Sequence, residues 1–309
     1  MSRRREFLLL ALAWPALAAG VARAATAREG QVVMGTVLEV TVVADDAAAA
    51  RAMAASAVAE ARRWDDALTI WRRDGELEKL NERAGQGPVR VGSRLRRGLA
   101  AMLEFSGQTT GAFAPTVAML RRPGTPRRGV PSIESVLRLS GDAASLADGA
   151  ALDPGAIGKG LALDAIVSGL RSAGATAAFL DFGGSSQTAI GAPPGDPRGW
   201  AVLVSGLVPG SSLGTLRLRD ASVSTSRSGA ADTTPILDPR DGLPVQGPRL
   251  ATVMAPNATA ADAWSTALVV LGREGVRAAA SHGVESVVED ASGQAVTGGF
   301  PLEAGRPGP

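Results

Sequence analysis

The sequence predicts an α+β fold with mixed, largely antiparallel sheets flanked by helices. Three observations predict it. Strand-like runs at residues 200–204, 215–218 and 221–225 follow one another with no helix between them. Other strands alternate with helical stretches rather than in strict β-α-β succession. The glycine-rich turn at 155–160 lacks the G-x-G-x-x-G spacing that opens many doubly wound parallel sheets.

Taken in order, residues 31–43 read as a strand or hairpin, with Val37, Leu38, Val40, Val42 and Val43 around a Met34-Gly35-Thr36 turn. Asp45-Asp46 then offers a cap for an Ala-rich helix running to about Trp71. Ser93 reads as the cap of a second helix, with Leu95, Leu99, Met102, Leu103 and Phe105 on one face, ending at 107–111. Residues 121–130, rich in Pro, Gly and Arg, predict an exposed loop. A helix spans 155–171, entered through glycines. Residues 176–180 form a buried strand before the Gly183-Gly184 turn. After the three strands named above come a strand at 251–254, a helix at 260–271 and a shorter helix near 274–282. Residues 284–289 and 295–298 predict a closing hairpin across Ser292-Gly293, and the tail from Glu303 is Pro/Gly-rich and loose.

The N-terminus is set aside from the fold. Arg3-Arg4-Arg5, an apolar run to about Ala19 and Ala22-Arg23-Ala24 predict a cleaved signal peptide over residues 1–24. Arg4-Arg5 with Phe7 and Leu8 is similar to a twin-arginine signal, so the expected address is the periplasm. Residues 25–309 then form one domain. No other stretch approaches the ~20 apolar residues of a membrane span. The whole chain carries 32 basic and 30 acidic side chains; removing four Arg and one Glu with the signal leaves 28 and 29, a net charge of −1. That balance, without a basic stripe, argues against nucleic-acid binding. There is no Cys, which rules out disulfides and thiolate metal sites. With 45% hydrophobic but only 4% aromatic residues and no Tyr, Ala, Val and Leu must build the core.

Two segments carry chemistry. Leu152-Asp153-Pro154-Gly155-Ala156-Ile157-Gly158-Lys159-Gly160 combines a carboxylate, a turn stripped of side chains and a lysine. Backbone N–H groups and the helix dipole there can approach a phosphate. It is not a Walker A loop, since Asp153 and Gly160 stand where Gly and Ser/Thr are needed. Taken alone it reads first as a helix start with a solvated lysine. Asp262 and Thr266, at i and i+4 of a predicted helix, share a face. An Asp, a hydroxyl, a backbone carbonyl and ligand oxygens make a plausible Mg²⁺ set; alone, the pair reads first as an exposed Asp with a back-bonded Thr.

The order of motifs resembles the ApbE family, the FAD:protein FMN transferases, from about Met34 to Gly272. Met34-Gly35-Thr36 is similar to its N-terminal strand motif. Trp71 and Glu76-Leu77-Glu78-Lys79-Leu80-Asn81 resemble its "SxLsxLN" segment, with Gly75 where Ser is usual. Gly111-Ala112-Phe113-Ala114-Pro115-Thr116 resembles "GxFDPT", and residues 153–164 resemble "DxGaIaKGyaxD". Asp181-Phe182-Gly183-Gly184, Ser224-Thr225-Ser226, Asp238-Pro239-Arg240-Asp241-Gly242 and Asp262-Ala263-Trp264-Ser265-Thr266-Ala267 resemble the remaining motifs in order.

This resemblance implies a Mg²⁺-dependent transfer of FMN from FAD to a threonine of a partner flavoprotein, with release of AMP. It implies that Met34, Trp71, Ala112, Phe113, Ala114, Asp153 and Lys159 contact FAD. The carbonyl of Ala156, with Asp262 and Thr266, would hold Mg²⁺. Asp262 and Lys159 would be the catalytic residues, the metal held by Asp262 and the ammonium of Lys159 neutralising charge that develops on the pyrophosphate. Three departures stand against the pattern. Ala114 replaces an Asp, Pro235 replaces the His of an "HxxDP" motif, and the segment 226–235 is short. They leave a second reading open, a relative that binds FAD, or cleaves it to FMN and AMP, without protein transfer. Asp232 or Asp238 could stand in for the missing base, or the metal alone could activate the threonine. The only histidine, His282, sits at a predicted helix end before Gly283 and reads as structural.

Overall fold

The computed structural model describes residues 24–121, 129–229 and 235–303. An eight-stranded sheet organises it. Strand β1 (Ala25–Val33) turns at Met34-Gly35 into β2 (Thr36–Ala44), both turn residues having positive φ. Helix α1 (Ala47–Leu68) follows; its N-cap Asp46 accepts from the N–H of Ala48 and Ala49. Next come α2 (Glu76–Glu82), β3 (Val89–Arg90), α3 (Ser93–Gln108) and a 3₁₀ segment at Pro115–Arg121. The short α4 (Ile133–Val136), β4 (Leu137–Ser140) and β5 (Ala143–Leu146) complete a small sheet, β3-β5-β4. Helix α5 (Gly158–Ser172) leads to β6 (Ala177–Phe182) and β7 (Ser186–Ile190), then to the β8 (Trp200–Ser205) and β9 (Ser212–Leu218) ribbon. Strands β10 (Ser222–Ser228) and β11 (Arg249–Ala255), helices α6 (Ala258–Leu271) and α7 (Val276–Ser281), and the hairpin β12 (Glu285–Asp290) and β13 (Gly293–Val296) close the chain.

The large sheet runs β1-β2-β6-β7-β10-β11-β12-β13, and every pairing in it is antiparallel. The predicted α+β class with largely antiparallel sheets therefore holds. Alternation along the strands sorts residues between two apolar layers. Leu180 and Phe182 of β6, Val253 of β11 and Val288 of β12 face α1, α5 and α6, in a core that includes Trp64 and Trp264. Phe179, Met254 and Val287 face the β8–β9 ribbon on the other side, where Phe179 stacks on Trp200 with ring centroids 5.4 Å apart.

Several predicted boundaries move for identifiable reasons. The first strand begins at Ala25, because β1 pairs along its whole length with β2. Helix α1 ends at Leu68, not Trp71. Thr69 turns extended, and the loop folds so tightly that a Cβ on Gly75 would lie 2.3 Å from the Thr69 carbonyl oxygen. Ser93 does not cap α3. The N-cap is Gly92, which makes no side-chain cap and instead gives its N–H to Glu76 of α2. Helix α5 begins at Gly158, since Gly155–Ile157 forms the turn before it. The predicted loop at 121–130 lies largely outside the described residues, as do the signal segment before Ala24 and the tail beyond Glu303. His282 is the C-cap of α7 with Gly283 at φ 70°, as expected, and its ring meets Trp264 edge-on at 5.3 Å.

Helices α5 and α6 pack closely because of one glycine. A Cβ on Gly160 would sit 2.4 Å from the Ala258 carbonyl oxygen and 2.7 Å from Thr259 Cα, both backbone and unable to yield cheaply. Gly160→Ala should therefore cost about 3 kcal/mol in urea unfolding. Gly169→Ala, later on the same helix with nothing within 4 Å, should stabilise by up to about 1 kcal/mol. Equal effects at the two positions would contradict the close-contact account.

Candidate functional site

The α5–α6 crossing brings the two chemistry-bearing segments together. Asp262 lies one turn into α6 and is 2% exposed. An ionised carboxylate at that depth is costly unless it is paired and hydrogen-bonded. Its Oδ2 accepts the Gly160 N–H at 3.0 Å. Its Oδ1 lies 3.3 Å from Lys159 Nζ and 3.3 Å from each of the hydroxyls of Ser186 and Ser224. The Gly160 N–H belongs to the first turn of α5, where no intrahelical acceptor exists, so Asp262 also caps that helix.

A chain of hydroxyls extends this arrangement toward Thr266. Ser186 and Ser224 pair across β7 and β10 at 3.0 Å. Ser265 donates to the Asp262 carbonyl at 2.9 Å and pairs with Ser226 at 2.8 Å. Ser226 in turn lies 3.2 Å from Thr266 Oγ1. Of these serines, Ser224, Ser226 and Ser265 fell within motifs of the sequence; Ser186 carried no signal at all. The polar composition of β7, Ser186-Gln187-Thr188, also hid that strand from the hydrophobic pattern, although all five of its residues are buried.

Asp262 and Thr266 face a cavity of about 340 Å³. Ala156, Lys159, Asp153 and the segment Ala112-Phe113-Ala114 line the same cavity. A second cavity of about 420 Å³ adjoins it, lined by Met34, Trp71 and Pro154. Asp153, Gly155 and Lys159 line both, so the α5 entry turn forms the ridge between two lobes. Each lobe falls in the size range of small-molecule sites. Asp153 shapes the ridge by accepting the Gly155 N–H at 2.7 Å. Met34 takes an uncommon positive φ of 51°, and its Cε abuts the start of α5: a Cβ on Gly158 would lie 3.1 Å from it. Trp71 is 81% exposed at the rim of the second lobe.

All ten residues singled out in the sequence thus line one lobe or the other. The two replaced positions, Ala114 and Pro235, both line the first lobe, so the departures fall in the site. Asp232 lies outside the described residues. Asp238 is bound by Arg240, with Nε and Nη2 at 2.8 and 2.5 Å from its two carboxylate oxygens. Those hydrogen bonds outweigh burial and hold the Asp238 carboxyl below its usual range, which makes it a weak base. His282 sits against Trp264. Among the described residues, no three His, Cys, Asp or Glu side chains converge, so a cation in the first lobe would rest on at most two carboxylates, neutral oxygens and ligand oxygens.

Residues 34–288 match the ApbE family. The chain is 31% identical over 340 residues to the "FAD:protein FMN transferase" of Rhodobacter capsulatus, across 94% of this chain. It spans 64% of that relative's length. It is 29% identical to the "FAD:protein FMN transferase" of Treponema pallidum (strain Nichols), over 82% of this chain and 81% of that protein. Among solved structures, the flavin transferase ApbE of Vibrio cholerae superposes with a TM-score of 0.76 at 21% identity, over 91% of this chain and all of that one. The ApbE protein of Thermotoga maritima gives 0.79 at 21% identity, over 89% and 98%. At these identities the structures establish the shared fold.

The Asp238–Arg240 pair generates a pH prediction. A depressed folded pKa adds stability that is present above the unfolded pKa of about 3.9 and is lost as pH falls through the folded value. Arg240 is largely exposed, so Arg240→Ala should cost under about 1 kcal/mol near neutral pH. Thermal midpoints of the parent and variant should converge as pH drops below about 4. A gap that persists into stronger acid would mean that Arg240 acts by packing.

Proposed function

The chain belongs to the ApbE family, and on that premise we propose that it transfers the FMN moiety of FAD to a threonine hydroxyl of a flavoprotein, releasing AMP. One observation carries the proposal. The buried carboxylate of Asp262 and the ammonium of Lys159 meet 3.3 Å apart at the ridge shared by two adjoining lobes. A dinucleotide laid across that ridge would place its pyrophosphate at Lys159, with one nucleoside on either side.

In this reading the acceptor hydroxyl oxygen attacks the FMN-side phosphorus. The bond from that phosphorus to the bridging oxygen breaks, AMP leaves with that oxygen, and the hydroxyl proton passes to bulk water. Lys159 stabilises the negative charge that builds on the phosphate oxygens. The glycine-stripped turn at 155–160 lets backbone approach the phosphates. Met34 and Trp71 in one lobe, and Ala112, Phe113 and Ala114 in the other, hold the ring systems and exclude water. Asp153 fixes the turn between them. The donor set fits Mg²⁺: the Ala156 carbonyl, Asp262 and Thr266 are all hard oxygens, and Mg²⁺ commonly takes one or two carboxylates with substrate phosphates. When bound there, the ion would neutralise phosphate charge as a Lewis acid. The export reading of residues 1–24 belongs to the same proposal, placing the reaction in the periplasm. Among the described residues no helix is long and apolar enough to cross a membrane.

A second reading is kept open by Ala114 and Pro235, which line the first lobe where the family pattern has an Asp and a His. It is FAD binding, or FAD cleavage to FMN and AMP, without a protein acceptor. Incubation with FAD, Mg²⁺ and a threonine-bearing flavoprotein domain separates the two. AMP with flavin covalently on the acceptor supports transfer. AMP with free FMN supports hydrolysis, and intact FAD retained on the protein means a binder.

Two variants test the residue roles. Asp262→Ala should abolish Mg²⁺-dependent AMP release while circular dichroism stays unchanged; undiminished release would remove Asp262 from the chemistry. His282→Gln should leave turnover within about two-fold, since its ring contacts Trp264 rather than the cavity. A loss beyond ten-fold would overturn its structural role.

A further inference from the structure

We propose that Asp164 is the positioning residue of this site, holding α6 in the axial place that presents Asp262 and Thr266 to the cavity. The inference rests on the functional reading above and deepens it. Asp164 lies on α5 one turn beyond Gly160. Its Oδ1 accepts the Ala258 N–H at 2.7 Å, and its Oδ2 accepts the Thr259 N–H at 2.9 Å and the Thr259 hydroxyl. Ala258 and Thr259 are the first two residues of α6, whose N–H groups have no partner within their own helix.

The two helices therefore cap each other. Asp262 of α6 accepts from the first turn of α5 at Gly160, and Asp164 of α5 accepts from the first turn of α6. Residues 160 and 164, and 258 and 262, are each one turn apart, so the four positions close a rectangle across the helix crossing. Apart from the Ser226 hydroxyl, which bonds Ser265 and Thr266 near the middle of the helix, the remaining contacts of α6 are mostly apolar. Burial is non-directional and does little to stop a helix sliding along its own axis. Directional, charge-assisted bonds do stop it. The opposite end of α6 is tied as well, because Arg249 of β11 donates to the carbonyls of Val269 and Val270. Asn257 caps α6 from the same strand-to-helix segment, bonding the Ala260 N–H at 2.8 Å, and so fixes nothing relative to α5.

Burial pushes the Asp164 carboxyl up, against the Thr259 hydroxyl and the two amides that pull it down. A partly buried carboxylate kept against that cost is consistent with the positional role that its three bonds define. Asp164 touches neither cavity, so it acts through α6.

The test uses the mature protein with ADP and Mg²⁺ as an unreactive diphosphate probe, read by calorimetry, alongside AMP release from FAD. Asp164→Asn should raise the half-saturating Mg²⁺ concentration at least ten-fold in both readouts. AMP release at saturating Mg²⁺ should recover to within about three-fold of the parent. Asn257→Ala should lower the melting temperature yet leave the Mg²⁺ dependence unchanged. Should Asp164→Asn not fold, Thr259→Val removes one bond and keeps the charge; it should shift half-saturation two- to three-fold the same way. An unshifted Mg²⁺ dependence in a folded Asp164→Asn or Thr259→Val protein, or an equal shift in Asn257→Ala, overturns the inference alone. A parent that neither binds Mg²⁺ with ADP nor releases AMP overturns the functional reading, and this inference with it.

Discussion

The close crossing of α5 over α6 is the constraint on which the rest of the site depends. Gly160 permits it, since any Cβ there would collide with the backbone of α6 at 2.4 Å. Once the helices are that near, the first turn of each lies within reach of a carboxylate on the other. Asp262 and Asp164 then satisfy amides that would otherwise be orphaned at two buried helix starts. Two segments about a hundred residues apart in the chain become one surface, with Lys159 and Asp262 at its centre.

A buried carboxylate of this kind is held in a fixed direction by what surrounds it. Asp262 has an amide, an ammonium and two hydroxyls around its oxygens, and the hydroxyls are themselves held by a cross-strand pair from β7 and β10. The sheet thus does more than carry the helices. Its serine-rich centre replaces apolar packing with hydroxyls that orient Asp262 and Thr266 of α6. The cost in hydrophobic burial is offset elsewhere, by the Trp64- and Trp264-bearing core between sheet and helices and by the smaller layer under the β8–β9 ribbon.

Much of this was legible in the sequence where a periodic pattern existed. The helices α1, α3, α5 and α6 and the β12–β13 hairpin stand out because apolar residues recur at helical or strand spacing. Elements without such a period were not legible. Helix α2 is only seven residues long, β3–β5 are two to four residues each, and β7 buries Ser, Gln and Thr. Boundaries slipped where a distant residue does the capping. Ser93 looks like an N-cap, but the N–H of Gly92 is taken by Glu76 sixteen residues away. The candidate site was legible as motifs, and the structure brings its residues together around two adjoining lobes. What no local pattern could supply was the partner of each motif residue. Asp164 stood in plain view at the end of the glycine-lysine signature, yet its three bonds go to residues 258 and 259. Ser186 pairs with a strand that is not its sequence neighbour.

The most direct test is a crystal structure of the mature protein with FAD and Mn²⁺ in place of Mg²⁺, read by anomalous scattering. The account predicts one Mn²⁺ peak in contact with the Ala156 carbonyl, Asp262 and Thr266. It also predicts the pyrophosphate beside Lys159 and the two ring systems divided between the lobes. A dinucleotide confined to one lobe, or a metal bound away from Asp262, would contradict it.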